Sequence, residues 1–204
     1  IYTSGTTGNP KGVALTHANF VATSEGARQV LGDVIDSPET RLLLFLPLAH
    51  VFARFLQVFQ ISGNGVLGHA PNIKNLLPDI KAFKPSVLLV VPRVLEKVYN
   101  AASSKAGGGI KGRMFAWSAK QARAYSLASE KTFGPGPFKK IRHGIADALV
   151  LKKIRSVLGP NLRYIVSGGA PLATDLAHFY AGMGLTLIQG YGLSETTGPI
   201  AVQH

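Results

Sequence analysis

Pro-Ser-Val-Leu-Leu-Val-Val-Pro-Arg, residues 85–93, is the stretch that decides the fold class. From Val87 to Val91 it is apolar throughout and rich in β-branched side chains, and Pro92 stops it. A short run without a polar side suits a strand buried on both faces of a parallel sheet. Residues 93–102 then place Val94, Leu95 and Val98 on one side of a helix. The same handover occurs at residues 41–46, Arg-Leu-Leu-Leu-Phe-Leu, which end at Pro47 and lead into a helix reaching about Gln60. It occurs again at residues 162–167, which run through the turn Gly168-Gly169-Ala170-Pro171 into a helix over 173–183. Shorter strand signals lie at 13–16, 66–69 and 185–188, and residues 199–204 read as the start of one more. Strands alternating with helices at this rhythm predict an α/β fold, mainly parallel strands flanked by helices.

The remaining segments are mostly helical or connecting. Thr16 is placed to cap a helix over 18–31. Residues 33–40 read as a surface loop, and 72–83 as partly helical with Pro78 at a break or a first turn. Three consecutive glycines make 103–109 a flexible break. Residues 113–131 have helical composition and are ended by Gly-Pro-Gly-Pro at 134–137. A helix over 147–158 carries Leu151, Ile154 and Leu158 on one side.

Bulk properties narrow the classes. The 204 residues carry a formal charge of +12 and no cysteine, which excludes a disulfide framework and thiolate metal sites. No apolar run reaches the roughly 18 residues of a membrane span, and there is no signal-peptide pattern; a cytoplasmic location, with or without membrane attachment, is the expectation. The chain opens on Ile1 inside a glycine-rich stretch, so it is expected to be a piece of a longer protein. Charge is uneven: residues 105–155 hold twelve Lys and Arg against Glu130 and Asp147. A solvated helical insertion over roughly 103–160 is the plainer reading of that span, and a surface for membranes or nucleic acid the alternative. Phe115, Trp117 and Tyr125 fall at helical spacing there, as packing residues do, so no nucleic acid is expected.

Two loops carry the chemistry. Residues 1–12, Ile-Tyr-Thr-Ser-Gly-Thr-Thr-Gly-Asn-Pro-Lys-Gly, set four hydroxyls (Thr3, Ser4, Thr6, Thr7) among Gly5, Gly8 and Gly12 and close on Lys11. Glycines allow close backbone approach, and free N–H groups, hydroxyls and an ammonium together suit a polyphosphate. The spacing is not that of a Walker A loop. Residues 189–198, Gln-Gly-Tyr-Gly-Leu-Ser-Glu-Thr-Thr-Gly, set a flat ring between two glycines and one carboxylate beside hydroxyls. Carboxylate and hydroxyl oxygens suit Mg²⁺ when phosphate oxygens complete the shell. A simple helix-capping role for Ser194 and Glu195 is the alternative. His50 follows a strand end and precedes a helix, where ligands bind in open α/β sheets, though a lone histidine is often only structural.

Together these stretches resemble the adenylate-forming superfamily. The first matches its phosphate-loop signature and Gln-Gly-Tyr-Gly-Leu-Ser-Glu-Thr its later adenylate and Mg²⁺ signature. Leu-Pro-Leu-Ala-His-Val-Phe-Ala-Arg and Ser-Gly-Gly-Ala-Pro-Leu resemble the long-chain fatty acyl-CoA synthetases. The resemblance covers all 204 residues but only the central part of that family's large N-terminal domain. It implies ATP-dependent activation of a long-chain fatty acid to an acyl-adenylate, then thioester formation with CoA. Thr3, Ser4, Gly5, Thr6, Thr7, Gly8 and Lys11 would embrace phosphates, and Thr6 and Glu195 would hold Mg²⁺. Ser194, where the family more often has threonine, would touch the adenylate phosphate. Tyr191 would stack on adenine within Gln189, Gly190, Gly192 and Thr196, with Gly169, Ala170 and Pro171 bordering it. His50 would sit near the acyl carboxylate. The implied partners are ATP, a long-chain fatty acid and CoA, with peripheral membrane association and a homodimer as further expectations. Arg54 stands where some bacterial members carry a gating tryptophan. The family's ribose-binding aspartate, hinge, catalytic lysine and C-terminal lid domain lie beyond His204, so this piece alone is expected to be inactive. Transfer to a carrier protein by a fatty acyl-AMP ligase and a non-catalytic binding module are the alternatives.

Overall fold

A computed structural model describes residues 1–3, 9–35, 37–72 and 75–203, without the side chains of Asp33 and Ile35. A two-rung antiparallel hairpin comes first, β1 (Tyr2–Thr3) against β2 (Lys11–Gly12). Helix α1 (His17–Ile35), strand β3 (Arg41–Leu44), helix α2 (Val51–Ile61) and strand β4 (Val66–His69) follow. Next come α3 (Leu76–Phe83), β5 (Val87–Val90), α4 (Pro92–Ala106), α5 (Gly109–Ser129), α6 (Pro137–Ala146), a π-helical turn at Asp147–Leu151 and α7 (Lys152–Leu158). The chain closes with β6 (Tyr164–Gly168), α8 (Thr174–Ala181), β7 (Thr186–Leu193) and β8 (Gly198–Gln203).

One six-stranded sheet, ordered β4-β3-β5-β6-β7-β8, organises the rest. Its first five strands are parallel, and β8 returns antiparallel to β7. The apolar runs alternate sides as a strand must. Leu43, Leu88 and Ile165 face a layer built from α3, α4, α5, α7 and α8. Leu42, Leu44, Val87, Leu89 and Val166 face α1 and α2, through Leu31, Phe55, Leu56 and Phe59. Both faces of the sheet are thus covered, as the unbroken apolar strands require.

Four expectations need correction. Residues 13–16 are not a strand. Val13 N–H donates to the Ile1 carbonyl, which ends the hairpin, and Thr16 is committed to capping α1. Its Oγ1 accepts from Asn19 N–H while Asn19 Oδ1 accepts from Thr16 N–H, a reciprocal cap. The break at 103–109 shrinks to Gly107 and Gly108, because α4 continues through helix-forming Lys105 and Ala106 and ends on Gly107 at positive φ. The helix expected from Asp147 starts ten residues earlier, at Pro137, because proline opens a first turn as readily as it ends a helix. Residues 189–193 are strand rather than loop: pairing with β8 overrides the local preference of their glycines.

The basic span from 103 to 160 is helical, but it is not merely solvated. Phe115, Ala119, Ala122, Ala146, Leu151 and Leu158 are built into the core. Polar ties fix it to the end of α8: Arg155 donates to Asp147 Oδ1 at 2.8 Å and to the Met183 carbonyl, and His143 Nε2 donates to the Gly182 carbonyl. Gly182 lies directly on the α5 backbone, where a Cβ would collide with the carbonyl of Ala122. A helix backbone cannot yield as a side-chain tip can. Gly182→Ala is therefore expected to cost about 1–3 kcal/mol, read as a lower midpoint in denaturant unfolding at unchanged slope.

Tyr180 is fully buried and donates its phenol to the Leu95 carbonyl at 2.8 Å. Burial, and secondarily Tyr99 nearby, push its pKa up. A phenol held neutral in the fold but free to ionise near pH 10 when unfolded stabilises the fold fully below that pH, and less as pH rises further. Tyr180→Phe should destabilise the fold at pH 7 by about 1 kcal/mol for one hydrogen bond, read as a lower thermal midpoint. It should also flatten the loss of stability above about pH 10; equal alkaline slopes would remove Tyr180 as the cause.

Candidate nucleotide-binding site

Parallel strands end together, and the loops that leave them share one side of the sheet. Register puts Val90 opposite Ser167 and Gly168 opposite Gly190. One residue further along, Val91 is level with Gly168 and Gly190, and Gly169 and Tyr191 follow one rung beyond. Together with Leu46, Pro47 and His50 after β3, Val91, Gly169 and Tyr191 line a cavity of about 660 Å³ beyond the C-terminal ends of the strands. That is the usual ligand position in open α/β sheets.

The two ends of the chain meet there. Thr3 and Lys11 of the opening hairpin line the same cavity as Gly190, Tyr191, Gly192, Leu193, Ser194 and Glu195 of the closing one. Gly169 also lines it. Ala170, Pro171, Gln189 and Thr196 do not. Ser4, Gly5, Thr6, Thr7 and Gly8, expected to hold phosphates, lie outside the described residues, and with them the expected Thr6 contribution to Mg²⁺.

The closing segment is shaped by its turn. Residues 194–197 link β7 to β8, not to a helix, so the helix-capping alternative for Ser194 and Glu195 does not apply. Thr196 Oγ1 accepts from Leu193 N–H at 3.0 Å and lies 2.8 Å from the Gly198 carbonyl, to which it donates. Its hydroxyl thus clasps the turn. Gly192 faces the Gly198 backbone, where any Cβ would collide, and Gly198 adopts φ +115°. These glycines let the hairpin fold tightly enough to aim Ser194 and Glu195 at the cavity. Tyr191 remains 65% exposed, so one ring face is free to take a planar ligand.

His50 is the N-cap residue of α2, with extended backbone (φ −92°, ψ 137°) and no side-chain cap bond. Its imidazole stands at the positive end of that helix and on the cavity wall. Beside it, the Phe52 ring packs on Gly168, where a Cβ would come within 2.7 Å of the ring. Among the described lining residues Glu195 is the only carboxylate and Lys11 the only ammonium. No group of three or more His, Asp or Glu side chains gathers among the described residues. A single carboxylate fits a Mg²⁺ that is bound largely by substrate phosphates. Leu46, Pro47, Val91, Phe52 and Pro199 also line the cavity and were not anticipated. Those that directly follow β3 and β5 were findable, since residues just past parallel strands form such walls; Phe52 and Pro199 arrive through packing.

The model of the AMP-binding enzyme family matches residues 1–204. The chain is 49% identical over its whole length to the long-chain-fatty-acid–CoA ligase FadD15 of Mycobacterium bovis, covering 34% of that protein. It is 36% identical to long chain acyl-CoA synthetase 3 of Arabidopsis thaliana, over 97% of this chain and 30% of that one. It is also 36% identical to human long-chain-fatty-acid–CoA ligase 6, over 96% of this chain and 27% of that one. The chain thus spans about a third of the length of the curated relatives it matches. Among solved structures, the inhibitor-bound N-terminal domain of FACL13 from Mycobacterium tuberculosis superimposes with a TM-score of 0.59 at 24% identity, over 98% of this chain and 38% of that one. MenE of Bacillus subtilis, solved with ATP and magnesium ion, superimposes with a TM-score of 0.56 at 21% identity, over 100% of this chain and 31% of that one. With signature loops, parallel sheet and whole-length family match in agreement, the chain belongs to the AMP-binding enzyme family.

Proposed function

We propose that this chain is the central part of the large N-terminal domain of an AMP-forming long-chain fatty acid–CoA ligase. The whole protein activates a fatty acid with ATP to an acyl-adenylate, releasing pyrophosphate, and then forms the CoA thioester, releasing AMP. One observation carries the reading: the opening and closing hairpins, nearly the whole chain apart in sequence, face one cavity at the strand ends. The names of the relatives in three kingdoms support the substrate class.

In the first step a carboxylate oxygen attacks the α-phosphorus and the bond to the pyrophosphate oxygen breaks. Such a reaction asks the protein for positioning and charge neutralisation more than for covalent chemistry. Lys11 and Thr3, with residues 4–8, hold the departing phosphates. Tyr191 offers its exposed face to adenine, between glycines that let the ring lie close to the backbone. Ser194 donates to the α-phosphate. His50, at the helix N-terminus, holds the negatively charged carboxylate of the acid. Glu195, with Thr6, would hold Mg²⁺, whose charge neutralises the phosphate oxygens when it is bound. The C-terminal lid of the parent supplies what this chain does not.

Glu195→Gln in the full-length protein keeps shape and removes the charge. Adenylation, measured as ATP–pyrophosphate exchange, should fall by several kcal/mol of transition-state stabilisation, on the order of a hundredfold or more. Near-wild-type exchange would remove Glu195 from the metal site. The acceptor is tested with the same protein given ATP, palmitate and excess CoA: palmitoyl-CoA is the expected product, and acyl-adenylate accumulating without thioester would reassign the protein as an acyl-AMP ligase.

A further inference from the structure

Helix α6 carries two apolar sides. One, with Ala146 buried and His143 half-buried, packs inward, and His143 stacks on Tyr125 of α5 with ring centroids 4.0 Å apart. The other faces solvent. Phe138, Ile141 and Ile145 of α6, with Leu149 of the π-helical turn that continues it, recur at steps of three and four residues, and all four are exposed. Just before the helix, Phe133 is 99% exposed at the tip of the turn that leads into Gly-Pro-Gly-Pro. Single exposed apolar residues are ordinary on a protein surface, but a row of five large ones is not.

Charge says what fits over the row. Lys131, Lys139, Lys140, Arg142, Lys152 and Lys153 are exposed around it. The single acid between residues 131 and 158, Asp147, is already paired with Arg155 at 2.8 Å. A second copy of the same face would bring six cations against six, so self-association through it is opposed. An apolar row rimmed by lysine and arginine is the pattern of a helix lying in a bilayer interface.

We propose that Phe133 and the outer row of α6 form a docking surface for an anionic phospholipid membrane, the rings entering the headgroup–acyl boundary and the cations pairing with lipid phosphates. Among the described residues no helix is long and apolar enough to cross a membrane, so attachment through this surface is peripheral. The surface stands whatever reaction the cavity performs, because lipid binding here uses none of the cavity residues.

The test is flotation of the full-length protein with vesicles of phosphatidylcholine, with and without phosphatidylglycerol, in the absence of ATP and fatty acid. Binding is expected only with phosphatidylglycerol and should weaken as salt rises. Phe133→Ser with Phe138→Ser should lower the partition roughly tenfold or more, at an unchanged melting temperature. Lys139→Glu with Lys140→Glu should lower it by a similar factor and reduce its salt dependence. Flotation unaffected by either pair, or equal on neutral vesicles, would overturn the proposal. So would a clear fall in the melting temperature of the serine variant without lipid, since the rest of the parent chain would then be what covers the row. A dimer abolished by the serine pair would likewise overturn it in favour of a second copy.

Discussion

The pairing of β6 with β7, Gly168 opposite Gly190, is the constraint on which the site rests. It sets Gly169 and Tyr191 side by side and holds the closing hairpin over the ends of β3 and β5. Neither residue at the pair carries a side chain, for related reasons. At Gly168 the room is taken by the Phe52 ring of α2. At Gly190 the bare backbone keeps the wall of the cavity low. A parallel ladder alone would end in divergent loops. The antiparallel return of β8 turns β7 into a rigid arm instead, and Thr196 ties its tip.

How much of this was legible beforehand depended on the range of the forces involved. The buried strands at 41–46, 87–91 and 162–167 announce themselves because both faces must be apolar, a property of each segment alone. Thr16 as a cap is equally local. The errors share a different cause. Residues 189–193 look like a loop because glycine is a poor strand former, and only the partner at 198–203 makes them a strand. Pro137 reads as a terminator until the residues after it pack on α5. Residues 13–16 have strand composition but pair with no strand among the described residues. In each case the deciding contact, or its absence among the described residues, lies outside the segment itself, so the segment's own composition does not reveal it. The site was readable in its signature loops and not in its walls, since Val91 and Phe52 have no chemistry of their own to mark them.

The helical layer over 103–160 shows one sequence property meeting two demands. Its small inward residues, Ala119 and Ala122, are fully buried and let α5 lie close against α8, where Gly182 completes the contact. Its charge is thereby forced outward, onto the exposed sides of α5, α6 and α7. A solvated insertion and a structural layer are therefore not alternatives here. The inner side belongs to the core and the outer side is available for something else.

The polar groups divide along the same line. Several that tie the frame together are matched within the chain: Tyr180 to Leu95, Arg155 to Asp147 and Met183, Thr196 to the turn it closes, whereas the buried side chains of Gln60, Ser118 and Ser167 have no hydrogen-bond partner among the described residues. Those on the cavity wall, His50, Lys11 and Glu195, have no side-chain hydrogen bond or ion pair among the described residues. All three face solvent, so leaving them unpaired costs little before a ligand arrives. Two basic groups and one carboxylate held a cavity apart do not neutralise one another as a salt bridge would. They are left available to a ligand in the cavity, which is the use that the proposed function makes of them.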